Sequence, residues 1–113
     1  MDVNVQETDR GYRMVKLAGA LRMDSAAEVQ ETLHPLIGER GSAMIVDLSG
    51  VDAIDSAGLS QLISLATHAR LSQSRLAIVS PTPFVVEVLR MTQLDDWFDM
   101  AADVPAAEKM LQQ

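Results

Sequence analysis

Residues 43–59 read AMIVDLSGVDAIDSAGL, and this stretch decides the fold. Ala43-Met44-Ile45-Val46-Asp47-Leu48 is almost wholly apolar until its end. A short continuous apolar run suits a strand buried on both faces, as in a parallel sheet. From Ser56 onward the spacing changes. Leu59, Leu62, Ile63, Ala66 and Ala69 recur on one side of a helix. A second apolar run, Leu76-Ala77-Ile78-Val79-Ser80, follows it. Strand, helix and buried strand in that order form the crossover unit of parallel strands, so the chain reads as α/β.

The flanks extend the pattern. Val3-Asn4-Val5-Gln6-Glu7 alternates, Asp9-Arg10-Gly11 marks a turn, and residues 12–17 alternate again, which predicts a hairpin. Ser25-Ala26-Ala27-Glu28 fits a capping box, so a helix is expected with Ser25 as its cap and Ala26, Val29, Leu33, Leu36 and Ile37 on its buried side. Pro35 should bend or end that helix, and Gly38 and Gly41 close the segment. Thr82-Pro83 reads as an N-cap followed by Pro at the first helical position, with Val85, Val88 and Leu89 facing inward. Residues 97–100 suit a short last strand, with Trp97 as a packing anchor. Asp103-Val104-Pro105 opens a final helix carrying Ala107, Met110 and Leu111. The order is ββαβαβαβα. The expected architecture is one domain over residues 1–113, a mixed sheet of four to five strands with an edge N-terminal strand and a largely parallel centre, packed by about four helices.

Composition narrows the function. The chain has 113 residues, 48% apolar and only 4% aromatic, so its core must be aliphatic. It has no cysteine, which excludes disulfides, thiolate metal sites and cysteine nucleophiles and fits a reducing cytoplasm. The opening MDVNVQETDRG carries neither a basic head nor an apolar run, so no secretory signal and no membrane segment are expected. Nine Lys and Arg against sixteen acids give a net charge of −7, a poor match for nucleic acid. No Gly-x-x-x-x-Gly-Lys phosphate loop is present, and His34 and His68 lack ligand-like spacing, so neither cofactor nor metal is expected. The seven Met residues read as core filler, with Met91 and Met100 as candidates for exposure near the sheet edge.

The candidate site lies between the first buried run and its helix, because loops beyond the carboxyl ends of parallel strands are where α/β sites form. Ser56 reads as the N-cap of the helix through Ala69. Asp55 reads as a helix-start acid, and Gly58 leaves the first turn without a side chain, open to close approach. Asp47 reads as a strand-end residue bonding loop amides. Neither histidine lies in the Ser56 segment, so no base for a serine nucleophile is evident and the protein is not expected to be an enzyme.

Val46-Asp47-Leu48, then Val51 and Ile54, then Asp55-Ser56-Ala57-Gly58-Leu59 resemble the signature of STAS domains, most closely the anti-sigma factor antagonists. Gly19-Ala20-Leu21 resembles the family's Gly-x-Leu motif, and residues 76–81 with Leu94 and Phe98 resemble its second half. The resemblance implies that an anti-sigma factor with serine kinase activity phosphorylates Ser56. The unmodified form binds that partner and frees the sigma factor; a serine phosphatase reverses the modification. The implied partner surface comprises Asp24, Asp52, Asp55, Ser56, Ala57 and Gly58. One position departs: the family's Gly-x-Leu is usually followed by an acid, and here Arg22 stands there, with Asp24 two residues on as the nearest substitute. The alternative within the same family is a scaffold or accessory subunit of a stressosome or of a lipid or anion transporter.

Overall fold

Alternating residues pair first. In the computed structural model, which describes residues 1–112, strands β1 (Asp2–Glu7) and β2 (Arg13–Leu21) run antiparallel with Val5 opposite Val15. Helix α1 (Met23–Leu33) follows and passes into a 3-10 turn, His34–Ile37, with Pro35 in its first turn. Pro35 thus ends the α-helix, as its missing N–H requires. Strand β3 (Ala43–Ile54), helix α2 (Ser56–Leu71), strand β4 (Arg75–Val79), helix α3 (Pro83–Met91), strand β5 (Asp99–Ala101) and helix α4 (Val104–Leu111) complete the chain.

The sheet has five strands in the order β1-β2-β3-β4-β5, antiparallel only between β1 and β2. It is the mixed sheet expected, with β1 at an edge. One face carries the larger core: Val15, Leu17, Met44, Val46, Leu48 and Ile78 meet Val29 and Leu33 of α1, Leu62 and Leu65 of α2, and Val85 and Leu89 of α3. The other face is covered by α4, whose Ala107 and Leu111 pack on Ile45, Ala77 and Val79.

Five local expectations change. Helix α1 starts at Met23, not after Ser25. Ser25 occupies the third helical position, where its hydroxyl accepts the Arg22 N–H at 3.0 Å. Strands β2 and β3 run further than their apolar cores, because their pairing continues through two register irregularities to Leu21 opposite Ile54. Gly19, at φ +107°, supplies the backbone conformation for one of them. On α2, Leu65 joins the buried face, while Leu59 and Ile63 lie at its margin. Trp97 lies in a 3-10 turn, Asp95–Trp97, ahead of a shorter last strand. It is a rim residue and not a core anchor, with the Arg70 guanidinium carbon 4.7 Å from its ring centroid. Met91 is exposed, whereas Met100 packs against the core.

Candidate functional site

Parallel strands deliver their carboxyl ends to one edge of the sheet, and each crossover helix begins there. Helices α1, α2 and α3 therefore start at the same edge, after β2, β3 and β4 respectively. Polar side chains tie these starts to the end of β3. Thr82 Oγ1, the cap of α3, accepts the Val85 N–H and donates to the Val51 carbonyl at 3.1 Å. Asp55 caps α2: its Oδ1 accepts the Gly58 N–H at 2.9 Å. Its Oδ2 accepts the N–H of Met23, the first residue of α1, at 3.1 Å. The Asp55 N–H donates to the Leu21 carbonyl at 3.2 Å.

The cap of α2 is therefore Asp55, and Ser56 is the first helical residue. An aspartate accepts first-turn amides better when its charge is retained, and these amides favour that charge. The Gly58 N–H, followed by those of Met23 and Ala57 and the positive charge of Arg22, holds the Asp55 carboxyl below its ordinary range, against the opposing effect of desolvation. Ser56 is exposed. Its carbonyl accepts the Ser60 hydroxyl at 2.9 Å, while its own hydroxyl has no partner among the described residues.

Gly58 has a different role from the one expected. It is buried, and a Cβ there would collide with the Leu21 carbonyl. The missing side chain lets α2 seat on the end of β2; it does not leave a gap for another molecule. Asp52 is exposed near the end of β3, and Asp24 is exposed in the first turn of α1, directly after the Met23 that Asp55 holds. Ala57 is half-buried. Asp47 accepts the Ser49 N–H at 2.8 Å, within β3 where the register shifts.

Sequence reading missed two features of this edge. One is the role of Asp55, read as a helix-start acid beside a Ser56 cap, which instead caps α2 itself and bridges to the start of α1. The other is two exposed apolar side chains, Met23 (76% exposed) and Phe84 (47%), in the first turns of α1 and α3. The structure also stacks His34 on His68, with ring centroids 5.0 Å apart and planes 21° apart. Among the described residues no group of three or more His, Cys, Asp or Glu side chains could hold a metal ion, and no helix is long and apolar enough to cross a membrane. A cleft of about 390 Å³ lined by Tyr12, Arg13, Leu36, Glu39 and Ser42 sits at the amino ends of β2 and β3, away from Ser56.

Comparison with known proteins places these features in a family. The family model for the STAS domain matches residues 2–107. An anti-sigma-factor antagonist (STAS) domain protein from Planctomyces limnophilus superposes with a TM-score of 0.85 at 19% identity, covering 100% of both chains. An anti-sigma factor antagonist from Mycobacterium paratuberculosis gives 0.84 at 20% identity, covering 99% of this chain and 94% of that one. The Bacillus cell fate determinant SpoIIAA in its phosphorylated form gives 0.71 at 15% identity, covering 96% and 99%.

Proposed function

The chain belongs to the STAS domain family, and we propose that within it the protein is an anti-sigma factor antagonist switched at Ser56. The unmodified form binds an anti-sigma factor that is also a serine kinase, and so releases the sigma factor. The kinase transfers the γ-phosphoryl group of ATP to Ser56 Oγ, releasing ADP and a proton; binding then ends until a serine phosphatase removes the group. The protein itself needs no cofactor and acts in the cytoplasm.

The observation that carries this reading is the placement of Ser56: an exposed hydroxyl on the first residue of α2, beside an Asp55 carboxylate fixed by two amides. A phosphate adds about −1.5 to −2 charge, which a helix start accepts without unfolding. In a docked complex the same dianion, next to Asp55 and on the edge that carries Asp24 and Asp52, is a desolvated charge costing about 2–5 kcal/mol. The docking surface comprises Asp24, Asp52, Asp55, Ser56 and Ala57, with Gly58 supporting it from beneath.

Intact mass after incubation with ATP and candidate anti-sigma kinases from the same source tests the reading. One added phosphoryl group, absent in Ser56→Ala, is expected. No modification, together with capture of a transporter protein in pull-downs, would replace it with the accessory-subunit reading.

A further inference from the structure

We propose that Arg22 is the counter-ion of a phosphorylated Ser56, so that the modified site is a paired dianion and not a bare one. The inference rests on the reading of Ser56 given above and names the residue that sets the strength of its switch. Two hydrogen bonds pin residues 21–23 against Asp55, its N–H to the Leu21 carbonyl and the Met23 N–H to its Oδ2, and a third, from the Gly58 N–H to its Oδ1, fixes Asp55 on the first turn of α2. Arg22 lies between the first two anchors, and Ser56 follows the residue that makes all three bonds. Both side chains are exposed.

The distribution of charge makes the pairing selective. Of the nine basic residues, Arg22 is the one at the carboxyl edge of the parallel strands. Arg13 and Arg75 open β2 and β4, Arg70 and Arg90 lie in the last turns of α2 and α3, and Lys109 lies in the last turn of α4. Arg10 and Arg40 precede β2 and β3, and Lys16 lies mid-strand opposite Asp47. The acids of this edge on the first turns of α1 and α2 and the end of β3 are Asp24, Asp55 and Asp52, with Asp2 on β1 and the Asp103 cap of α4 further along it; both Asp55 oxygens already accept amides. Among the described residues Arg22 makes no side-chain hydrogen bond or ion pair. Its guanidinium fork matches phosphate geometry, so a dianion introduced at Ser56 meets a cation that Asp55 attracts only through space, with no direct ion pair between them.

The test installs phosphoserine at position 56 by genetic encoding and titrates its second ionisation by phosphorus NMR. The wild-type pKa is expected below that of Arg22→Gln by about 0.2–0.7 unit, the range an exposed ion pair supports. Arg22→Lys should recover part of the shift, Arg22→Glu should reverse it, and about 1 M salt should close the gap. Equal values for wild type, Arg22→Gln and Arg22→Glu at low salt overturn the proposal. No kinase is involved in making the phosphoprotein. Failure of a kinase to modify Ser56 therefore counts against the antagonist reading alone, and a flat titration counts against Arg22 alone.

Discussion

The Asp55 carboxylate accepts the N–H of Met23 at 3.1 Å across 32 residues of sequence, so one side chain caps the starts of two helices. Asp55→Asn separates the two bonds. Its amide oxygen can still accept the Gly58 N–H, but its NH2 group cannot accept from Met23. Hydrogen exchange should therefore accelerate at Met23 far more than at Gly58. The acid limb should change as well. The folded-state pKa of Asp55 is depressed, so its stabilisation is present above the ordinary value of 3.8 and is lost as pH falls through the lower folded value. In melts across that range, Asp55→Asn should lose less stability than wild type.

Gly58→Ala should be far more damaging than its size suggests. The added Cβ meets the backbone carbonyl of Leu21, which cannot swing aside as a flexible side chain would. Helix α2 must lift from the end of β2, at about 1–3 kcal/mol or more. Urea unfolding measures this. A change within about 0.5 kcal/mol would mean that this contact is easily relaxed.

The core and the exposed serine should separate cleanly. Leu62 is 1% exposed beneath the sheet, so Leu62→Ala should cost about 2–5 kcal/mol. Ser56 is not the cap, so Ser56→Ala should stay within about 0.5 kcal/mol. Thermal melts giving Ser56→Ala the larger loss would return the capping role to Ser56.

These contrasts show what was legible in the chain. The runs at 43–48 and 76–80 announced β3 and β4 because a strand buried on both faces must be apolar throughout. Thr82 and Asp103 announced their helices because each cap bonds an amide three residues on, within reach of local sequence. The start of α1 was hidden because its first amide is satisfied by Asp55, from another segment. The ends of β2 and β3 were hidden because they are held by strand pairing and not by apolar character. Asp55, Ser56, Asp52 and Asp24 were named from the sequence. The bond that joins the first turn of α1 to that of α2 depends on the fold and has no sequence spacing.

The histidine pair gives the protein a pH dependence. His34 stacks on His68, and Ser64 Oγ lies 3.5 Å from His34 Nε2. Burial first, then the charge of His68, holds the His34 imidazole below its ordinary 6.5. The unfolded chain thus takes up the proton more readily. The stability that neutral His34 contributes is fully present above about 6.5 and is lost as pH falls toward the lower folded value. The urea midpoint should drop between about pH 7.5 and pH 5.5, and drop less in His34→Gln. Identical drops in both proteins would assign the effect to other groups.

Binding is the decisive measurement for Ser56. The side chain is exposed at the first residue of α2, and neither Ala nor Asp there disturbs the cap that Asp55 provides. Both variants should fold, since a helix start tolerates a neutral or an acidic residue. Their affinities for the anti-sigma kinase should differ. Ser56→Ala adds no charge and cannot be modified, so it should bind as the unmodified wild type does, even with ATP present. Ser56→Asp places one carboxylate where the phosphoprotein carries a dianion, so it should bind more weakly than Ser56→Ala but more tightly than the phosphorylated chain. Calorimetric titration of all three against the partner gives the order. Equal affinities would remove Ser56 as the switch. If weakening in Ser56→Asp deepened further when Arg22→Gln was added, the counter-ion role of Arg22 would extend from the phosphate to any anion at that position.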